Sequence, residues 1–394
     1  MKMSWKTVKL GEVCKMNSGG TPSRSNSEFY ENGTIPWAKI SDIETAQGGY
    51  IIDTEEKITE KGLASINNRI FEENTLLLAM YGSVGKVGIT ACSMSTNQAI
   101  LGIRPNHTNQ VDLQYLKFWF VSQRDFLLNR AVGGTLQNIS LGIVKSLEIP
   151  LPPLSEQKRI AAILDQADEL RQKDRQLLQH YNQLIQSTFL EMFGDPVSNP
   201  MGWEVKKLGD FGIARLGKML DSKKQTGNNT FPYLGNSNVL WGRFKLNNLA
   251  KMDFSEDERE EFKLRPGDLL ICEGGEVGRC AIWKDQLTDI YFQKAIHRLR
   301  LNLETADPLF IQFLFRYYCD NNQLKDFVTI STIAHLTGVK LKQIPFILPP
   351  IQLQNEFAQI VTEIEEQKEI VQRQLESSEA LFQSLLSKAF AGEV

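Results

Sequence analysis

Leu151-Pro152-Pro153-Leu154-Ser155-Glu156-Gln157 and Leu348-Pro349-Pro350-Ile351-Gln352-Leu353-Gln354 stand 197 residues apart and read as one junction written twice. Each closes an apolar stretch, passes through two prolines that cannot extend a strand ladder, and opens a run with apolar residues at threes and fours. In the first copy Ser155 suits the N-cap position, and Glu156 suits the positive end of the helix dipole. The second copy lacks the Ser-Glu pair, which weakens a cap and leaves the pattern intact.

Downstream of each junction the spacing predicts a long amphipathic helix. The first, 155–192, ends at Gly194 and Pro196. At 1.5 Å per residue it extends about 57 Å, too long to stand without a partner. Ile160, Ile163, Leu164, Leu170, Leu177 and Leu184 form its expected seam, and Phe357, Ile360, Val361, Ile364, Leu375 and Leu381 form that of the second copy. Matching seams of this kind pair as an antiparallel coiled coil.

Upstream of each junction the repeat continues with a drifting offset. Trp5-x4-Leu10-Gly11 returns as Trp203-x4-Leu208-Gly209, and Ile35-Pro36-Trp37 as Phe231-Pro232-Tyr233. Gly82-Ser83-Val84-Gly85-Lys86 returns as Gly275-Glu276-Val277-Gly278-Arg279, each behind an apolar run (Leu76-Leu77-Leu78, Leu269-Leu270-Ile271), a strand–turn–strand signature. From Thr135 and Thr332, through Lys145 and Lys342, the offset is constant at 197. A single repeat of this period means two copies of one domain plan. The expected fold class is α+β (mixed α/β): two globular domains in tandem, separated by two long helices, with an internal pseudo-two-fold repeat. The boundaries fall at 1–152, 153–194, 195–349 and 350–394.

Composition narrows the function. The 42% hydrophobic and 23% charged fractions exclude a disordered chain. The net charge of −3 hides an asymmetry. Residues 1–150 carry 15 Lys and Arg against 14 acids, and 201–347 carry 21 against 18. Residues 151–200 carry 5 against 7, and 348–394 carry 3 against 8. Acid is concentrated in the helical segments, so a near-neutral whole does not oppose nucleic-acid binding by the domains. Five scattered cysteines without a C-x-x-C, no apolar run of membrane-spanning length and no signal-peptide core fit a cytoplasmic protein with reduced thiols.

Catalytic signatures are missing. The turn at 82–86 lacks the earlier glycine of a phosphate loop, and Val87 stands where Ser or Thr would bind magnesium. No G-x-S-x-G occurs, and His107, His180, His297 and His335 have no metal-ligand spacing. Asp195-Pro196-Val197 and Asn199-Pro200-Met201 do not fit a methyl-transfer motif and read as linker turns. Neither a catalytic nor a metal site is expected.

A variable domain, an Ile-Pro-Leu-Pro-Pro-Leu-x-Glu-Gln junction, a long helix and then the whole plan again resemble the specificity subunit of type I restriction-modification enzymes, over the full chain. The marks are Leu151–Ile160, the turn at 82–89, Thr96-Asn97-Gln98-Ala99-Ile100 and the paired Trp-x4-Leu-Gly openings. The resemblance implies two target-recognition domains, each reading one half of a split, asymmetric site on double-stranded DNA. It implies helices that set the distance between the halves and dock two modification (methyltransferase) subunits, with restriction (motor-nuclease) subunits completing the enzyme. S-adenosylmethionine, ATP and Mg2+ are then used by those partners, and none is bound by this chain.

Base readout in the major groove needs paired donors and acceptors. The motif loops offer Lys39, Ser41, Ser83, Lys86, Asn97, Gln98, Gln137 and Asn138 in the first domain. In the second they offer Asn236, Ser237, Asn238, Arg279, Gln293, Lys294 and His335. For any one of these the plainer role is a turn residue bonding its own backbone or a phosphate. The rivals are an orphan DNA-binding regulator or anti-restriction protein of the same architecture, and a lectin-like tandem domain on a helical stalk.

Overall fold

The computed structural model describes residues 5–131, 138–221, 225–330 and 334–393. Thr135, Gln137 and Thr332 lie outside them. The chain forms two compact units, residues 1–176 with 372–394, and residues 177–371.

In the first unit, Leu76–Ala79 is buried at all four positions. Such an unbroken apolar run marks a strand covered on both faces. It sits in a five-stranded sheet ordered Cys14–Ser18, Ile100–Pro105, Leu76–Ala79, Val87–Thr90 and Tyr50–Ile51, antiparallel except for the last pair. A smaller sheet places Ile35–Ala38 between Lys57–Ile58 and, in parallel, Ser95–Thr96. Thr7–Lys9 pairs with Glu148–Pro150, which brings the domain's two ends together just before the junction prolines.

The second unit repeats this plan, with a larger sheet of four strands that lacks a counterpart of Tyr50–Ile51 among the described residues. Gly212–Leu216, Ile296–Leu301, Leu269–Cys272 and Cys280–Ile282 form the larger sheet. Thr230–Leu234 lies between Ala250–Asp253 and, in parallel, Tyr291–Phe292. Val205–Lys207 pairs with Pro345–Ile347. A hairpin, Val239–Leu240 with Arg243–Phe244, is present in this copy.

The glycine turn is a tight connection in both units. Gly82 and Gly85, and Gly275 and Gly278, all have positive φ. A Cβ on Gly278 would lie 2.7 Å from Leu324 and 2.8 Å from the Cys319 sulfur, so only glycine fits there.

The long helices run from Leu154 to Phe193 and from Ile351 to Ala391. The first starts two residues earlier than its cap signal suggests, so Ser155 is inside the helix, while Glu156 lies in the first turn and pairs with Arg159. What anchors each helix is the junction glutamine. Gln157, fully buried, accepts from the Asp112 amide (2.9 Å) and donates to the carbonyls of Gln110 (2.9 Å) and Pro152 (2.8 Å). Gln354 does the same with Asp307 (3.0 Å), Thr305 (3.1 Å) and Pro349 (2.7 Å). Leucine has nearly the volume of glutamine but neither donor nor acceptor, and it strands three buried backbone groups. Gln157→Leu is expected to lower the unfolding free energy of its unit by about 3 kcal/mol, measured by denaturant titration, with Gln354→Leu equivalent in the other.

Within the first unit the two helices run antiparallel. Ile160 and Leu164 share a core with Phe382, Leu386 and Ala389. Arg171 and Arg175 reach Glu379, and buried Asp174 accepts from Ser378 Oγ (2.9 Å) and Gln374 Nε2 (2.9 Å). Within the second unit, Phe189 and Phe193 pack on Phe310 and Phe357.

The expected seam is partly displaced. Ile160, Leu164, Phe357, Val361 and Ile364 are buried, and Ile163 and Leu375 are half-buried. Leu170 (41%), Leu177 (40%), Leu184 (47%), Ile360 (37%) and Leu381 (48%) are exposed instead. Leu170 precedes the inward-facing Arg171 by one residue, about 100° around the helix. Arg171 holds that inward place by laying its guanidinium 3.8 Å above the Phe382 ring and bonding Asp168.

Candidate nucleic-acid interface

The first-domain candidates gather where the two sheets meet the glycine turn. Lys39 and Ser41 begin the helix Ile40–Ala46, which follows the strand Ile35–Ala38. The Asn97 amide donates to the Ala38 carbonyl (3.0 Å), so the loop after Ser95–Thr96 sits beside Lys39. Asn138 bridges Tyr81 at the head of the turn. Gln137 lies outside the described residues.

Most of these side chains already have partners. Asn97 accepts from the Ala99 amide (3.1 Å), which is the plain turn role, and exposed Gln98 meets the Thr21 hydroxyl. Lys39 bridges Glu55 and Glu56, both at 2.8 Å, and these bonds hold its ammonium pKa above the ordinary lysine value. Arg24 reaches Glu56 (2.6 Å) while stacking over Tyr30 and Trp37. Lys86 meets Glu44 of the short helix (2.7 Å), and the Ser83 hydroxyl donates to the same carboxylate. Lys86, then Ser83, hold the Glu44 carboxyl below the ordinary carboxylate range.

Five of the seven second-domain candidates, Asn236, Ser237, Asn238, Arg279 and Gln293, line an open cavity of about 610 Å3 together with Tyr233. The short turn Asn236–Asn238 follows the strand Thr230–Leu234, as the helix with Lys39 follows its counterpart. Asn236 Nδ2 donates to Gly274 (2.9 Å), and Arg279 donates to the Asn236 carbonyl (3.0 Å) and to Glu276 (3.0 Å). Asn236 Oδ1 and Arg279 Nε are buried without a hydrogen-bond partner, leaving one acceptor and one donor open. Asn238 is spent on its own turn, bonding Gly235 and Lys245. Lys294 and His335 are exposed and lie outside the cavity lining, although His335 bridges Gly274 beside the turn.

The carboxylates Glu44, Glu55, Glu56 and Glu276, and the indole of Trp241, were not singled out by sequence. Trp241 Nε1 donates to Glu276, and this bond, together with Arg279, lowers that carboxyl's pKa. A search for basic and amide side chains passes over acids, though an acid accepts from cytosine N4 in the same groove. Among the described residues no cluster of three or more His, Cys, Asp or Glu has metal-holding geometry, and no helix is long and apolar enough to cross a membrane.

Several known proteins resemble this chain. It is 29% identical over 225 residues to the type I restriction enzyme MjaIX specificity subunit of Methanocaldococcus jannaschii, covering 52% of this chain and 51% of that one. It is 32% identical over 176 residues to the EcoR124I/EcoR124II specificity subunit of Escherichia coli, covering 43% and 42%. These two matches thus span about half of the first relative's length and less than half of the second's. With the EcoKI specificity subunit of Escherichia coli the match reaches 99% of this chain and 89% of the relative, at 25% identity.

Two solved structures share the fold. The type I restriction-modification S subunit of M. genitalium has a TM-score of 0.59 at 17% identity, over 98% of this chain and 96% of that one. A chain from a study of assembly and conformational transition in the type I restriction-modification system has a TM-score of 0.57 at 18% identity, over 99% and 98%. The profile of the type I restriction modification DNA specificity domain matches residues 2–180 and again 200–379, so the chain belongs to that family and carries its domain twice.

Proposed function

We propose that this chain is the DNA-reading subunit of a type I restriction-modification enzyme, each domain reading one half of a split, asymmetric site. One observation carries the reading: two copies of one fold hold the same turn and strand-end loop in the same places and furnish them differently. Ser83 and Lys86 in the first copy correspond to Glu276 and Arg279 in the second, and Asn97 and Gln98 to Gln293 and Lys294. Equal frames with unequal donors and acceptors suit two different half-sites.

The specificity subunits among the curated relatives support this assignment. The two long helices set the distance between the half-sites and dock two modification subunits, and the restriction subunits join that core. Methyl transfer, ATP hydrolysis and strand cleavage belong to those partners, with their S-adenosylmethionine, ATP and Mg2+. The chain works in the cytoplasm, beside the DNA it reads.

Selection from a random duplex pool by the chain, assembled with its modification subunits, tests this. The expected product is two short specified stretches parted by unspecified bases, each favoured base contributing about 1–3 kcal/mol of discrimination. Recovery of unenriched sequence would refute the reading.

A further inference from the structure

Each domain places one cation at the end of the same glycine turn, and each cation meets one carboxylate that takes a second donor as well. The parts come from opposite sides. In the first domain Lys86 and Ser83 are both on the turn, and Glu44 comes from the helix Ile40–Ala46. In the second, Arg279 and Glu276 are both on the turn, and Trp241 comes from the segment after Thr230–Leu234. The assembly of cation, carboxylate and second donor persists although its carboxylate has changed places.

Stability does not account for this. Lys86 and Glu44 are 36% and 42% exposed, and in the second pair Glu276 is 54% exposed against a largely covered Arg279 at 17%. Exposed ion pairs add little net stability, because water and salt screen them and two long side chains lose freedom in making them. Charge does account for it. A bare Lys or Arg at a DNA-facing turn seeks phosphate, releasing counterions and adding affinity without sequence information. A cation neutralised by a neighbouring carboxylate gains little from phosphate. It keeps spare N–H donors, now held beside an acceptor, and base edges present donors and acceptors side by side. In the second domain Asn236 and Arg279 also line the cavity, beside Gln293.

Resting on the reading of the two domains as DNA-binding, we propose that Glu44 and Glu276 are specificity-determining residues that keep the turn cations Lys86 and Arg279 off the phosphates and make each pair a neutral base-reading unit. Removing the carboxylate then turns a base reader into a phosphate anchor.

The test is the salt dependence of binding by the full chain to a duplex of random sequence, between about 50 and 200 mM salt. Glu44→Gln is expected to steepen the slope of log affinity against log salt by about 0.9, an extra loss of roughly threefold across that range. Glu44→Gln with Lys86→Gln is expected to return the slope to that of the unaltered chain. Glu276→Gln, alone and with Arg279→Gln, gives an independent reading in the other domain. Unchanged slopes in both single variants, with the unaltered chain binding in a salt-dependent way, overturn the proposal and leave the DNA reading standing. No salt-dependent binding by the unaltered chain overturns both.

Discussion

Lengthening both long helices by one turn is expected to lengthen the unspecified spacer of the recognised site by one or two base pairs while leaving the bases within each half unchanged. Four added residues extend a helix by about 6 Å, and duplex DNA rises about 3.4 Å per base pair. Four residues is also close to a whole turn, so the inward faces stay inward. The insertions belong after Leu178 and after Val371. Repeat-equivalent points, Leu178 and Leu375, would split the Asp174 contacts to Gln374 and Ser378. The chosen points keep that layer, and also the packing of Phe189 on Phe357. Sequencing methylated sites in cells that carry the lengthened chain with its partners reads the outcome. A lengthened spacer supports helices as the ruler. An unchanged spacer with full methylation assigns that role to the partner subunits.

The architecture was legible because the chain contains its own comparison. Pro152-Pro153 and Pro349-Pro350 mark both junctions, and the helices begin within two residues of each pair. The turns at Gly82 and Gly275 needed only the knowledge that positive φ and close neighbours favour glycine. What was hidden is polar. Arg171, Asp174 and Ser378 face the helix seam, where a search for apolar periodicity looks past them to Leu170, Leu177 and Leu381. Gln157 and Gln354 belong visibly to the repeat, yet their work, joining a helix start to a distant loop, needs coordinates. The candidate interface shows the same limit. Basic and amide residues stand out in a sequence, while Glu44 gains its meaning only from a turn some forty residues away that brings Lys86 and Ser83 to it.

The central claim is that two domains read two half-sites independently. Both domains close their own sheets and join their own ends, Thr7–Lys9 to Glu148–Pro150 and Val205–Lys207 to Pro345–Ile347, so either can be replaced without cutting a sheet of the other. Replacing residues 1–150 with the matching region of a relative of different specificity removes every candidate reader of the first domain. It retains Gln157, whose bonds to the carbonyl of Gln110 and the amide of Asp112 pass to backbone that any such domain supplies. Specific binding exceeds non-specific by about 10³-fold or more, so the effect is a change of site rather than a shading of affinity. The decisive measurement is the genome-wide map of methylated bases in cells carrying the exchanged chain with its modification subunits, set against the unaltered chain. The account predicts one half of the split site rewritten and the other half kept base for base. A map in which both halves change, or in which neither does, would contradict it.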